Sequence, residues 1–178
     1  MPAPGITQQA LNKAMLEAVN FVHAEGWDAQ PTLFALVPTQ LIVDALDDEL
    51  DDSPLTLVIQ DELPDNLDAG TDELGDYCAR VAWPREVEGV ILAQEIVFRD
   101  AADTEAGARP ARLYSGVLRD DSIEQTLLQL RPTDEELKKN GPFAEDNIEL
   151  RGGPGVAPGI LEALRAGLTN DPDDDLFA

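Results

Sequence analysis

Apolar residues recur along the chain with two different periods, one typical of helices and one typical of strands. Residues 7–26 begin with Thr7, a favoured helix N-cap residue, and close with Gly26, a favoured residue beyond a helix C-terminus. Between them the apolar positions repeat at helical spacing, at Leu11, Met15, Ala18 and Val22. The pattern predicts a first helix over this stretch.

Short apolar runs bounded by turn-forming or polar residues predict strands. There are five such runs: 32–37, 55–60, 89–99, 111–119 and 122–131. In the run 89–99, Val90, Leu92, Ile96 and Phe98 share one face. Asp120 and Asp121 separate the last two runs, so we expect a two-residue hairpin connection there.

Four further stretches have helical spacing: 38–50, 71–82, 133–140 and 158–168. The dipeptide Trp83-Pro84 follows the second of them. A residue before proline is disfavoured in the α region, so this helix must stop there. We expect Trp83 to pack beneath the turn into the strand 89–99 rather than to form a shelf for a ligand.

These elements predict an α+β fold with a mostly antiparallel sheet of about five strands and helices packed on it. The predicted order is α-β-α-β-α-β-β-β-α, and its early βαβ portion leaves one parallel pair open. Residues 1–168 are predicted to form a single domain. Residues 169–178 are predicted to be a disordered acidic tail.

The chain carries a formal net charge of −24, from 36 acidic and 12 basic residues. Such a charge repels nucleic acid and anionic lipid, so basic partners or simple solubility remain. No apolar run approaches the ~18 residues of a membrane-spanning helix, and the N-terminus shows no signal peptide. The single cysteine forms no intramolecular disulfide and suits a reducing compartment. We therefore expect a cytoplasmic protein.

Two segments have a composition found in ligand sites, one for a cation and one for a phosphate, but each is better explained without a ligand. The run 44–52 holds six carboxylates but lacks the glycine and the spacing of a calcium loop, so a solvated helix end is favoured over a cation site. The glycine-rich stretch 151–164 lacks the lysine and hydroxyl of a phosphate loop, and Pro154 and Pro158 remove backbone donors. We expect a flexible connection entering a helix.

The only histidine and the only cysteine do not predict a catalytic pair. His23 lies late in the first helix, where a structural role is expected. Cys78 lies on the apolar face of its helix, where a buried and inert thiol is expected. One histidine and one cysteine cannot supply the usual zinc ligands. The sequence therefore assigns no catalytic, metal-binding or cofactor-binding residue.

Four arginines are placed by the prediction at the ends of the three consecutive strands: Arg99, Arg112, Arg119 and Arg131. Two interpretations are open for them. They could gather into an anion pocket, or they could offset neighbouring acids by ordinary ion pairing, which the acidity of the chain favours.

Four segments resemble a family of uncharacterised small acidic actinobacterial proteins: LFALVPTQL, ARVAWPREVEGVILAQEIVF, LYSGVLRDD with LLQLR, and GVAPGILEALRAGL. The most distinctive element is Ala82-Trp83-Pro84. The resemblance brings no activity, cofactor or catalytic residue with it. It implies a cytoplasmic protein from a Gram-positive, GC-rich organism and is compatible with a partner-binding role.

The absence of a catalytic constellation favours a non-enzymatic protein-interaction or chaperone-like module that binds an unknown protein partner and forms a homodimer. The alternative is a small-molecule-binding protein or hydrolase whose site is built from scattered carboxylates and arginines. The sequence leaves enzymatic activity open.

Overall fold

The computed structural model describes residues 7–39, 54–60, 71–99, 108–120, 122–131, 138, 150–152 and 158–170. Within these ranges the chain forms three helices and six strands. In chain order they are α1 (Gln8–Glu25), β1 (Thr32–Pro38), β2 (Leu55–Ile59), α2 (Asp72–Arg80), β3 (Gly89–Arg99), β4 (Ala108–Leu118), β5 (Glu124–Leu130), β6 (Leu150–Gly152) and α3 (Pro158–Thr169).

The strands form one sheet in the order β2-β1-β3-β4-β5-β6, and every neighbouring pair is antiparallel. The predicted α+β class with a mostly antiparallel sheet is therefore confirmed. No described pair of strands is parallel, which closes the alternative left by the early βαβ pattern. The predicted helix 38–50 lies outside the described residues, and of 133–140 only Lys138 is described, in helical conformation.

The sixth strand corrects the sequence prediction. Residues 150–152 were predicted to belong to a flexible loop, but they pair with residues 127–129 of β5. A strand of three residues is too short to display an alternating pattern, and Gly152 weakens the signal further. Such a strand becomes recognisable only through the neighbour that it pairs with.

The first helix has the predicted ends. The Thr7 side chain accepts a hydrogen bond from the Ala10 amide at 3.3 Å. At the other end Gly26 has a φ of 94°, a conformation that favours glycine, and its amide donates to the His23 carbonyl. The buried stripe of α1 packs on one sheet face, against residues such as Phe34, Ile91 and Tyr114.

Helices α2 and α3 cover the opposite sheet face. Leu74 and Cys78 of α2 and Leu164 of α3 share a core with sheet residues such as Leu92 and Val117. The sheet thus has helices on both faces. The residues 89–93 of the central strand β3 are consequently a continuous apolar run rather than the polar-apolar alternation of a half-exposed antiparallel sheet.

The connection between β4 and β5 is longer than predicted. It spans residues 119–123, and the Leu118 amide donates to the Ile123 carbonyl at 3.1 Å. The carboxylate of Asp120 accepts from both the amide and the hydroxyl of Ser122. An Asp-Asp pair lacks the glycine or asparagine of the tight primed turns, so the chain builds a wider turn around the Asp120 side chain.

The Trp83-Pro84 stretch behaves as predicted. Helix α2 ends at Arg80, with Val81 already extended. The Trp83 side chain is 6% exposed and belongs to the core beneath α2 and α3, so it offers no shelf to a ligand. The carbonyl of Pro84 accepts a hydrogen bond from the Val87 amide, which turns the chain into β3.

Helix α3 continues one residue past position 168, the predicted end of the domain. Thr169 is the last residue of α3, and the Asn170 side chain donates to two carbonyls at the end of α2. Residues 171–178 of the predicted tail lie outside the described residues.

Candidate functional site

The four arginines do not gather into one anion pocket. Arg112 and Arg131 lie near the end of α1, while Arg119 follows the opposite end of β4. Arg112 is inside β4 rather than at its end, because β4 begins three residues earlier than predicted. Pro110 suggested a boundary, yet the ladder with β3 continues past it. Only the backbone of Arg99, in β3, is described.

Arg112 is a buried structural residue. It is 1% exposed, and its guanidinium donates to the Gly26 carbonyl at 2.7 Å and to Gln129 Oε1 at 3.1 Å. The guanidinium also lies over the Trp27 ring, 4.2 Å from the centroid. No carboxylate of a described residue pairs with it. The carbonyl end of α1 and the ring face supply the negative potential instead.

The same polar cluster holds the only histidine. Gln129 Nε2 lies 3.0 Å from His23 Nδ1, and Gln129 Oε1 accepts from the Tyr114 hydroxyl at 2.7 Å. Burial raises the pKa of Tyr114, although the neighbouring Arg112 opposes the shift. The cluster ties the end of α1 to the sheet, which agrees with the structural role predicted for His23.

Arg131 and Arg119 also serve the fold. Arg131 pairs with both carboxylate oxygens of Asp28, at 3.0 and 3.3 Å. Arg119 donates to three backbone carbonyls, those of Val87 at 2.6 Å, Pro84 at 3.0 Å and Leu168 at 2.5 Å. Its charge holds the turn after α2 and the last turn of α3 together. Arg112, Arg119 and Arg131 therefore form no common anion pocket, and among these three the ion-pairing interpretation holds for Arg131 alone.

Cys78 and His23 lie on opposite faces of the sheet, in α2 and α1 respectively, so they cannot act as a pair. Cys78 is buried, as predicted, and burial raises the pKa of its thiol to about 11. The thiol is thus protonated at neutral pH, which makes it a poor nucleophile.

Among the residues that the structure describes, no three His, Cys, Asp or Glu side chains are grouped to hold a metal ion. The acidic run 44–52 lies outside those residues. Of the glycine-rich stretch 151–164, residues 151–152 belong to β6 and residues 158–164 to α3.

A cleft of about 890 Å³ opens between α2 and α3. Gln94 and Ile96 of β3 and Leu113 of β4 form its floor. Small residues line its two helical walls: Gly75 and Ala79 on α2, and Gly159, Ala163 and Ala166 on α3. The volume is in the range of small-ligand pockets and of grooves that take a few anchoring side chains.

The cleft exists because the two helices approach closely at only one end. At their C-terminal ends, a Cβ on Gly167 would lie 2.5 Å from the Cys78 carbonyl, so the backbones touch there. Near their N-terminal ends, a Cβ on Gly75 or on Gly159 would meet no atom within 4 Å. Glycine therefore permits backbone contact at one end of the helix pair and leaves space at the other end.

The cleft is acidic. Asp72 and Asp76 lie one turn apart on α2, Glu162 lies on α3, and none of the thirteen lining residues that the structure describes is lysine or arginine. These three carboxylates make no ion pair or hydrogen bond with the described part of the chain. Two acids at i and i+4 repel each other, so a cation between the walls would be stabilised.

The lining of the cleft suits binding better than covalent chemistry. Its described residues include no histidine, cysteine or serine, and the hydroxyl of Thr71 accepts a hydrogen bond from the Leu74 amide as the N-cap of α2. Sequence reasoning missed this site. Its signal was the spacing of small residues in two helical segments, at Gly75 and Ala79 and at Gly159 and Ala163.

The fold and the cleft define the chain as a small α+β protein with an acidic groove between two helices. The family model described as PPA1309-like protein matches residues 11–169, and the chain belongs to this uncharacterised family. The match includes Trp83-Pro84 and both helices of the cleft. No curated protein and no solved structure matches the chain. None of the described helices is long and apolar enough to cross a membrane.

Proposed function

We propose that this protein is a non-enzymatic protein-interaction module that docks its partner in the cleft between α2 and α3. The observation that carries the proposal is an open groove whose described lining includes half-buried apolar side chains such as Ile96 and Ile160 and contains no histidine, cysteine or serine. Apolar floors with polar rims are typical of surfaces that bind other proteins.

The positions of the charged residues support this proposal over a hydrolase. A site of scattered carboxylates and arginines requires both charges within reach of one substrate. The carboxylates Asp76 and Glu162 line the cleft, and no arginine joins them. Arg112 lies on the α1 side of the sheet, where it binds the Gly26 carbonyl. The carboxylates of the cleft and Arg112 are thus on opposite sides of the sheet.

A second copy of this chain fits the cleft poorly, because a chain with a net charge of −24 repels another acidic surface. The predicted homodimer would use a different surface. Strand β2 is the edge of the described sheet, and its Val58 and Ile59 are 42% and 37% exposed. Self-association and a chaperone-like role remain predictions, and light scattering of the pure protein tests the first.

The cellular setting is part of the proposal. A cytoplasmic location is supported by the single, buried Cys78, which suits a reducing compartment. An actinobacterial origin rests on the sequence resemblance alone.

Site-specific photo-crosslinking in the native host tests the proposal. A benzoylphenylalanine at Gly159 places the probe at the cleft, because a side chain there meets open space. The same probe at Asn20, on the exposed surface of α1, is the control. We expect a discrete protein crosslink from residue 159 that is absent from residue 20 and is lost when Gly75→Trp fills the cleft.

Crosslinks that are identical from both positions, or none from residue 159, would contradict docking in the cleft. Turnover of a substrate that Asp76→Asn abolishes would contradict the non-enzymatic role.

A further inference from the structure

We infer that the partner segment is a basic amphipathic helix, which lies in the cleft with its apolar stripe on the floor and its lysines or arginines against the two acidic walls. The inference rests on the proposed function and specifies the chemistry of the partner.

Charge is the first argument. The cleft has Asp72 and Asp76 on one wall and Glu162 on the other, and its described lining includes no basic residue. No described residue pairs with these three carboxylates, whereas Glu95 accepts from two backbone amides and Glu124 pairs with Arg165. The cleft acids are therefore available to an external cation, and a basic segment is the complementary one.

Shape is the second argument. Helices α2 and α3 lie in one layer on the sheet, and they diverge above Ile96, whose half-buried side chain is the accessible part of the floor, since Leu113 and Gln94 are buried. A segment that enters from above extends this layer, and a third helix is the element that packs beside two helices on a sheet. Gly75 and Ala163 carry little or no side chain, so the walls allow the backbone of such a helix to approach closely.

Three labelled peptides provide the test on the full-length protein. Each has about 15 residues, a length at which isolated helices are marginal, and each carries leucine at i, i+3, i+4 and i+7. The remaining positions are lysine in the first peptide, glutamine in the second and glutamate in the third. Fluorescence anisotropy gives the affinity of each one.

We expect the lysine peptide to bind at least tenfold more tightly than the glutamine peptide, and the glutamate peptide not to bind. Raising the salt concentration from about 0.01 to about 0.1 M shortens the Debye length from about 30 to about 10 Å. This change should lower the affinity of the lysine peptide and leave the affinity of the glutamine peptide unchanged.

Two pairs of variants separate the cleft from the overall charge of the protein. Gly75→Trp fills the cleft and should abolish binding. Gly75→Ala is its control and should retain binding, because a Cβ at position 75 meets no atom within 4 Å and a methyl group leaves the cleft open. Asp76→Asn with Glu162→Gln removes two cleft charges and should weaken binding about tenfold. Glu25→Gln with Glu86→Gln removes two exposed charges outside the cleft and should leave the affinity unchanged.

The outcomes are distinguishable. If the glutamine peptide binds as tightly as the lysine peptide and Gly75→Trp abolishes both, the cleft docks a partner but the basic character is wrong. If Gly75→Trp has no effect, or the two charge pairs weaken binding equally, the peptide binds elsewhere and the inference fails. If no peptide binds, the helical partner is wrong, and crosslinking from residue 159 judges the proposed function independently.

Discussion

The two ends of the α2–α3 pair differ in how closely the two helices approach each other. At the C-terminal end, Gly167 brings the helix backbones into contact, and the Asn170 side chain donates to the Ala79 and Val81 carbonyls at 2.8 and 3.1 Å. At the N-terminal end, Gly75 and Gly159 line the cleft, and a Cβ on either of them would meet no atom within 4 Å. The comparison shows that a glycine in a helix can either allow close contact with a neighbouring helix or leave open space beside it.

The closed end explains how the open end can persist. Arg119 holds the Leu168 carbonyl and the turn after α2, and Trp83 fills the space beneath both helices. These contacts anchor the pair at one end. The other end therefore needs no mutual packing to keep the helices on the sheet, and it is the end at which we propose that a partner docks. The predictions below test this division of roles.

The largest expected effect concerns Trp83 at the closed end. Trp83→Ala removes a buried ring and leaves a cavity under both helices, so we expect a loss of about 3–5 kcal/mol in the free energy of unfolding. Urea denaturation measures it. Phe21→Ala, at a side chain that is 38% exposed, is the control and should cost less. An unchanged melting temperature for Trp83→Ala would contradict a packing role.

Cys78, which lies beside Gly167, predicts a pH dependence of stability. Burial raises the pKa of its thiol from 9.0 to about 11, so the unfolded chain releases this proton first as the pH rises. The contribution is complete below about pH 9, falls as the pH rises further, and is lost near pH 11. A shift of this size corresponds to about 2–3 kcal/mol.

The measurement is the difference in the free energy of unfolding between the natural protein and Cys78→Ala, followed from about pH 8 to about pH 11. Both proteins share the titration of Tyr114 and the other groups, so the difference isolates the thiol. We expect the difference to decrease as the pH rises. A difference that is constant over this range would show that the thiol is not buried.

Gly167→Ala should destabilise the protein by about 1–3 kcal/mol, although alanine is the better helix former. The added Cβ would lie 2.5 Å from the Cys78 carbonyl and 3.2 Å from the Val81 carbonyl, and backbone atoms cannot move aside cheaply. Thermal denaturation measures the effect. A stabilised Gly167→Ala would mean that the helix ends are not in contact.

The sequence predicted the elements better than it predicted the site. Strand and helix periods located α1, β1, β2 and β3 within about a residue, since each has a local pattern and recognisable ends. The cleft depends on the distance between two helices that are distant in sequence, which no local pattern contains. The structural role of Arg112 was missed for a similar reason, because its carbonyl partner at Gly26 is brought near only by the packing of α1 on the sheet.

The smallest predicted effect is the most direct test of the open end. Gly75→Ala should stabilise the protein by about 0.5–1 kcal/mol, because alanine restricts the unfolded chain and favours the helix while its Cβ meets no atom within 4 Å. Measured beside Gly167→Ala, the same substitution in the same pair of helices should have the opposite sign. If both variants were destabilised, the N-terminal ends would be packed as tightly as the C-terminal ends, and there would be no groove to dock a partner.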